Sequence, residues 1–236
     1  MEVFFTAEGL ISLLTLSLLE IVLGIDNIIF ISLLTNKLPE KSRPKARFLG
    51  ISLALVFRVI MLLGITWIIR FTDPLFSIFG QEFTGRDIVL IIGGLFLLAK
   101  STSEIHEKMD PQKEKGKVKK SVSKSFVSII IQIGLLDIVF SFDSILTAIG
   151  MTEDVVIMIT AVIISLIVML IFSNRIANFI EKYPSLQVLA LSFLILIGFV
   201  LIADGLHSHI PKGYIYVAVA FSLIVEVINI KSRKNS

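Results

Sequence analysis

The 236-residue chain contains no cysteine, so disulfides, thiolate metal sites and cysteine nucleophiles are excluded. Charge is scarce too: 17% of residues are Asp, Glu, Lys or Arg, against about 25% in an ordinary soluble domain. Neither His-Glu-x-x-His nor Gly-x-Ser-x-Gly occurs, so nothing points to a hydrolase, and the chain reads as a non-enzyme. The first apolar block lacks the basic lead of a cleavable signal; Glu2 and Glu8 stand there instead. What remains is apolar. Hydrophobic residues make up 55% of the chain, and mean hydropathy is +0.92. They come in long blocks, the pattern of an all-α polytopic membrane protein that has the lipid bilayer as its solvent.

A transmembrane helix needs about 20 mostly apolar residues. Seven such spans are predicted, at about 9–34, 47–71, 83–103, 125–149, 154–173, 187–207 and 214–230. The segment 104–124, with Pro111, Gly116 and a lysine cluster, is the one substantial loop. Lys37, Lys41, Arg43, Lys45 and Arg47 follow span 1, and seven lysines from Lys108 to Lys124 follow span 3. Arg175 and Lys182 follow span 5; Lys231, Arg233 and Lys234 close the chain. The other side carries only Arg70, Arg86 and Lys212. By the positive-inside rule the N-terminus is expected outside and the C-terminus in the cytoplasm. The lysine-rich loop has no aromatics for stacking on bases, and acids interrupt it. It reads as a solvated topology determinant and a place for protein partners, with no nucleic-acid role. Trp67, Tyr183, Tyr214 and Tyr216 read as interfacial anchors.

The chain also resembles itself. Span 1 contains Leu19-Glu20-Ile21-Val22-Leu23-Gly24-Ile25-Asp26-Asn27-Ile28. Span 4 contains Leu136-Asp137-Ile138-Val139-Phe140-Ser141-Phe142-Asp143-Ser144-Ile145. Acid matches acid twice, Gly24 matches Ser141, and Asn27 matches Ser144. A weaker echo pairs Phe96-Leu97-Leu98-Ala99-Lys100 with Val200-Leu201-Ile202-Ala203-Asp204. Three spans separate the copies, so the second enters the membrane from the opposite side. The expected organisation is one transmembrane domain over 1–236, built as an inverted repeat: repeat 1 at about 8–103, repeat 2 at about 125–210, and a last helix at 214–230. Acids at the bilayer centre cost about 2.5–3.5 kcal/mol each on the insertion scale, so four in register are not a by-product of composition.

The two acids of each motif are six residues apart, which on a continuous helix leaves them about 240° apart around it and roughly 9 Å apart along it. Glu20, Gly24 and Asn27 share one face, as do Asp137, Ser141 and Ser144. Using both acids of a motif therefore requires either unwinding near Gly24 or Ser141, the arrangement favoured here, or a second acid turned to a neighbouring helix. Arg58 is the expected cationic partner, facing Asp26 or Asp143 and competing with a bound ion. Four carboxylates with amide and hydroxyl oxygens and no sulfur form a hard-oxygen donor set suited to Mn²⁺, Ca²⁺ or Mg²⁺. Six acids lie deep in spans (Glu20, Asp26, Asp137, Asp143, Asp204, Glu226), but only Arg58 and Lys100 oppose them. Protonation or a bound cation must cover the rest.

At these residues the sequence resembles the TerC family of integral membrane proteins, named for tellurium resistance. The likeness rests on Glu20-x-x-x-Gly24-x-Asp26-Asn27, on Asp137-x-x-x-Ser141-x-Asp143-Ser144, and on the Glu104-Ile105-His106-Glu107 ending of span 3. It extends from about residue 8 to 230. The resemblance implies seven helices in two inverted three-helix repeats plus a C-terminal helix, similar to the LysE superfamily of exporters. It also implies a manganese exporter of the bacterial cytoplasmic (inner) membrane, or a relative acting in metal homeostasis. By that likeness the metal-binding acids are Glu20, Asp26, Asp137 and Asp143, with Asn27 and Ser144 beside them.

The reading that follows is a divalent-metal exporter with Mn²⁺ as first substrate and Ca²⁺ as second, working by alternating access and proton exchange. The alternative is a non-transporting scaffold that docks translocation machinery or metal-dependent enzymes through the loop. Arg58, Lys100, Asp204, His207 and Glu226 are gating or proton-relay candidates. Among these, Lys100 and Glu104 have the spacing of a local ion pair, and Asp204 and His207 lie one turn apart.

Overall fold

The computed structural model describes residues 6–64, 69, 72–78, 80–109, 126–152 and 154–234. For Asp26, Ile78, Asp143, Lys212, Arg233 and Lys234 it gives the backbone alone. Seven long helices run in order: α1 (Ala7–Thr35), α2 (Arg43–Leu63), α3 (Gly85–Met109), α4 (Phe126–Met151), α5 (Val155–Lys182), α6 (Pro184–Gly205) and α7 (Lys212–Lys234). A short 3₁₀ turn, Glu40–Ser42, precedes α2, and a two-stranded antiparallel hairpin, β1 (Pro74–Ile78) with β2 (Gln81–Thr84), precedes α3. All seven helical segments are long and apolar enough to cross a bilayer.

Helix starts follow the local sequence. The Thr6 hydroxyl accepts the Gly9 amide at 3.0 Å, and Asp154 Oδ1 accepts the amides of Val156 and Ile157 at 2.9 and 3.3 Å. Pro44 and Pro184 occupy first-turn positions, where a missing N–H costs nothing. Within the spans, Ser32 and Thr35 return their hydroxyls to the carbonyls of Ile28 and Ile31 at 2.6 and 2.8 Å, so both are satisfied within their own helix.

Three expectations need correction, the first being span 5, where α5 runs nine residues past 173 to Lys182 and includes Arg175 and Lys182. Hydropathy extends span 2 to residue 71, but α2 stops at Leu63 and is capped by Gly64. Ile69 is again helical, and the hairpin, where Phe76 and Phe83 stack with centroids 5.6 Å apart, begins past the predicted span at Pro74. Span 3 continues through the Glu104-Ile105-His106-Glu107 tail to Met109, so those residues are helical and not loop. The rest of the lysine-rich segment and Trp67 lie outside the described residues.

The chain packs as two compact units. The first contains α1, α2, the hairpin, α4, and α5 as far as Asn178; the second contains α3, the end of α5, α6 and α7. The units cut across the sequence halves, each drawing helices from both. In the first unit α1 runs antiparallel to α4: Asn27 meets Asp137, while Leu16 and Ile145 line a common cavity. Its buried apolar residues include Leu16, Ile28, Ile51, Ile133, Ile145 and Leu166. Ile11, Leu14 and Leu18 of α1 and Ile163, Ile167 and Ile171 of α5 face outward. Apolar outer faces around a polar interior are what lipid requires.

In the second unit α3 and α6 cross in close contact. A Cβ on Gly94 would lie 2.5 Å from the Gly198 carbonyl oxygen, and one on Gly198 would lie 2.9 Å from that of Gly94. Only glycine lets two backbones approach this closely, the usual device for helix pairs in membranes. Gly94 and Gly198 are equivalent positions in the echo between spans 3 and 6, so the crossing is reciprocal.

Candidate cation site

The first unit has a polar centre made by α1, α2 and α4. Arg58, in the second half of α2 and 1% exposed, lies between Glu20 of α1 and Asp137 of α4. One terminal nitrogen pairs with Glu20 Oε2, and the other stands 3.5 Å from Asp137 Oδ1. Asn27 Nδ2 donates to the same Asp137 oxygen at 3.4 Å, and Ser141 Oγ donates to Asp137 Oδ2 at 3.2 Å. Glu20, Asn27, Asp137, Ser141 and Ser144 are all buried, as the shared-face reading of both motifs requires. Ser144 turns its hydroxyl to the Ser141 carbonyl of its own helix at 3.2 Å. Arg58 Nε, also buried, has no hydrogen-bond partner among the described residues.

Neither helix unwinds. Both α1 and α4 are helical throughout, Gly24 and Ser141 included. Gly24 has another use: a Cβ there would lie 2.5 Å from Met169 Sδ, so the missing side chain makes room for α5. The Ser141–Asp137 bond spans one turn and itself depends on helical geometry. Among the described residues Arg58 engages Glu20 and Asp137, the first acid of each motif. The side chains of Asp26 and Asp143 lie outside the described residues. Among the described residues no three His, Asp or Glu side chains form a group able to hold a metal ion.

A small cavity of about 10 Å³, no more than a single water needs, adjoins the cluster. Glu20 lines it together with Leu16, Leu62, Ile145, Ala148 and Ala161. Glu20 thus touches Arg58 and the cavity wall at once. Chemically, the cluster offers two carboxylates, a carboxamide and a tethered monocation in a water-poor interior. An ion pair there stands only while each charge keeps its partner.

The second unit carries a separate set of polar contacts. Lys100 and Glu104 pair at 2.8 Å along α3, as their spacing predicts. His207 Nε2 lies 3.1 Å from Asp87 Oδ2, and His209 Nδ1 lies 3.3 Å from Asp204 Oδ1. His207 adopts φ 61, which turns the chain at the end of α6 and brings the ring over α3. Glu226 is half-buried on α7, a helix otherwise largely exposed.

Two buried residues are not evident from sequence. Asp87, 2% exposed at the start of α3, meets His207, which lies 120 positions away in the chain. Arg47, 3% exposed, reads as one of the loop charges although it begins the predicted second span. Its position at the first residue of an apolar run is the available clue.

The profile of the integral membrane protein TerC family matches residues 5–235. A UPF0053 protein of Haemophilus influenzae is 49% identical over 227 residues, covering 96% of this chain and 95% of that one. The UPF0053 inner membrane protein YgdQ of Escherichia coli K12 is 50% identical over 222 residues, covering 94% and 92%. YoaE, another UPF0053 inner membrane protein of the same strain, is 47% identical over 223 residues, 94% of this chain but 43% of that protein. No solved structure matches. With a family profile spanning almost its whole length, the chain belongs to the integral membrane protein TerC family.

Proposed function

We propose that the protein exports a divalent metal cation across the bacterial inner membrane, with Mn²⁺ as first substrate and Ca²⁺ as second. The observation that carries this reading is Arg58 held between Glu20 and Asp137, equivalent acids of the two motifs, deep inside the helix unit. Two ionised carboxylates and one guanidinium leave the cluster one negative charge in excess. Asp26 and Asp143 add two more acids on the same two helices. Hard oxygen donors and excess negative charge favour a hard divalent cation over a soft one or an anion. Arg58 acts as a tethered counter-ion, covering Glu20 and Asp137 when the cargo is absent and yielding when it binds.

The inverted-repeat organisation suits alternating access. The antiparallel course of α1 and α4 supports it, as does the reciprocal Gly94–Gly198 crossing. With the N-terminus outside and the C-terminus in the cytoplasm, efflux runs against an inside-negative potential, costing about 2.3 kcal/mol per charge per 100 mV. Proton exchange supplies the drive, with one of the buried acids as carrier. The test is Mn²⁺ efflux from preloaded cells: Asp26→Asn or Asp143→Asn abolishes it while membrane insertion is unchanged. Wild-type efflux in both variants overturns the site assignment.

A further inference from the structure

Arg47 gathers three helices of the first unit at the end remote from the cavity. Its Nε donates to Thr35 Oγ1 at 3.2 Å, one terminal nitrogen to Asn174 Oδ1 at 3.1 Å, and the other to Asn36 Oδ1 at 3.1 Å. The C-terminal end of α1, the N-terminal part of α2 and the C-terminal part of α5 thus meet on one guanidinium. Thr35 is fully buried, and Ser32 and Ser173 are buried close by in sequence.

Position along α1 gives this cluster its meaning. Glu20, Gly24, Asn27 and Thr35 fall within one stripe about 80° wide, so the Arg47 cluster ends the same helix face that carries the site. Fifteen residues separate Glu20 from Thr35, about 22 Å along the axis. The cavity lies the other way, with Leu16, one turn before Glu20, in its wall. The polar face of α1 thus borders this small, mainly apolar cavity beside Glu20 and meets the Arg47 cluster at Thr35. A buried guanidinium is a sound plug for cation traffic: it repels the cargo, and its planar fork holds several acceptors at once.

We propose that Arg47 is the gate at the α1 C-terminal end of the cation route, latched by Thr35, Asn36 and Asn174 and released when that end opens. This rests on the transport reading above and adds which end is closed and by what.

A chain without cysteine permits a direct test. Ser32→Cys is made alone and with Arg47→Ala, Arg47→Lys or Asn174→Ala, and a small membrane-impermeant thiol reagent is applied to vesicles of each orientation. Ser32→Cys alone is expected to react slowly from both sides. Arg47→Ala is expected to raise the rate at least tenfold from the α1 C-terminal side only, Asn174→Ala by a smaller factor, and Arg47→Lys least. An unchanged rate, or an equal rise from both sides, overturns the gate. Mn²⁺ flux in the same vesicles separates the two levels. One-sided opening without Mn²⁺ flux upholds the plug and overturns the cargo; flux without opening overturns the plug and leaves the cargo assignment standing.

Discussion

Replacing Arg58 by Gln leaves Glu20 and Asp137 in a dry bundle with no cation between them. Breaking a buried pair in this way costs about 3–5 kcal/mol. The expected result is a marked drop in the unfolding temperature of the detergent-solubilised protein. Added Mn²⁺ should raise that temperature more in Arg58→Gln than in the wild type, because the metal takes over the neutralising role. Glu20→Gln/Asp137→Asn/Arg58→Gln should recover most of the loss without metal. An Arg58→Gln variant as stable as wild type, with or without Mn²⁺, would refute the counter-ion role. The two acids and their shared helix faces are legible in sequence because carboxylates are so expensive in an apolar span. Which acid Arg58 holds is not legible. That depends on the α2–α4 packing, and spacing along one helix carries no information about its neighbour's register.

At the scale of helices, α3 and α6 depend on glycine at their crossing. Gly94→Val places a branched side chain against the Gly198 carbonyl and the Ile202 side chain, and overpacking of this kind costs about 1–3 kcal/mol or more. Gly94→Val and Gly198→Val should both lower thermal stability in detergent. Gly213→Ala, where a Cβ meets nothing within 4 Å, should not. Equal melting of all three would mean that the crossing does not hold these helices together. Hydropathy locates the boundaries of α1 and α4 within about two residues, but ends α5 nine residues early, before Lys182. It misses the end of α2, because apolar residues follow Gly64 and hydropathy alone does not mark a helix cap. Gly24 shows the same limit: a small residue in a polar motif fits a break in the helix as well as a close neighbour, and Met169 decides between them.

For the whole molecule, the charge distribution predicts an N-terminus outside and a C-terminus in the cytoplasm. A fluorescent protein fused after Ser236 should therefore light up, and a periplasm-dependent phosphatase fused at the same point should stay inactive. The reverse pattern would invert the direction assigned to the Arg47 gate. Seven spans are legible from composition alone, and the family from the two acidic motifs. The division of the chain into units is not. Sequence halves suggest two three-helix blocks, whereas α1 and α2 join α4 and α5, and α3 joins α6. Partner choice of that kind rests on long-range pairings such as Arg58–Asp137 and Gly94–Gly198, between residues about 80 and 104 positions apart. The central claim is that the buried acids carry a divalent cation, and purified protein in liposomes holding a metal-sensitive dye tests it most directly. External Mn²⁺ should quench the dye in wild-type vesicles, and Asp26→Asn vesicles should match protein-free ones. Wild-type vesicles that pass neither Mn²⁺ nor Ca²⁺ would contradict the account and leave a membrane scaffold in its place.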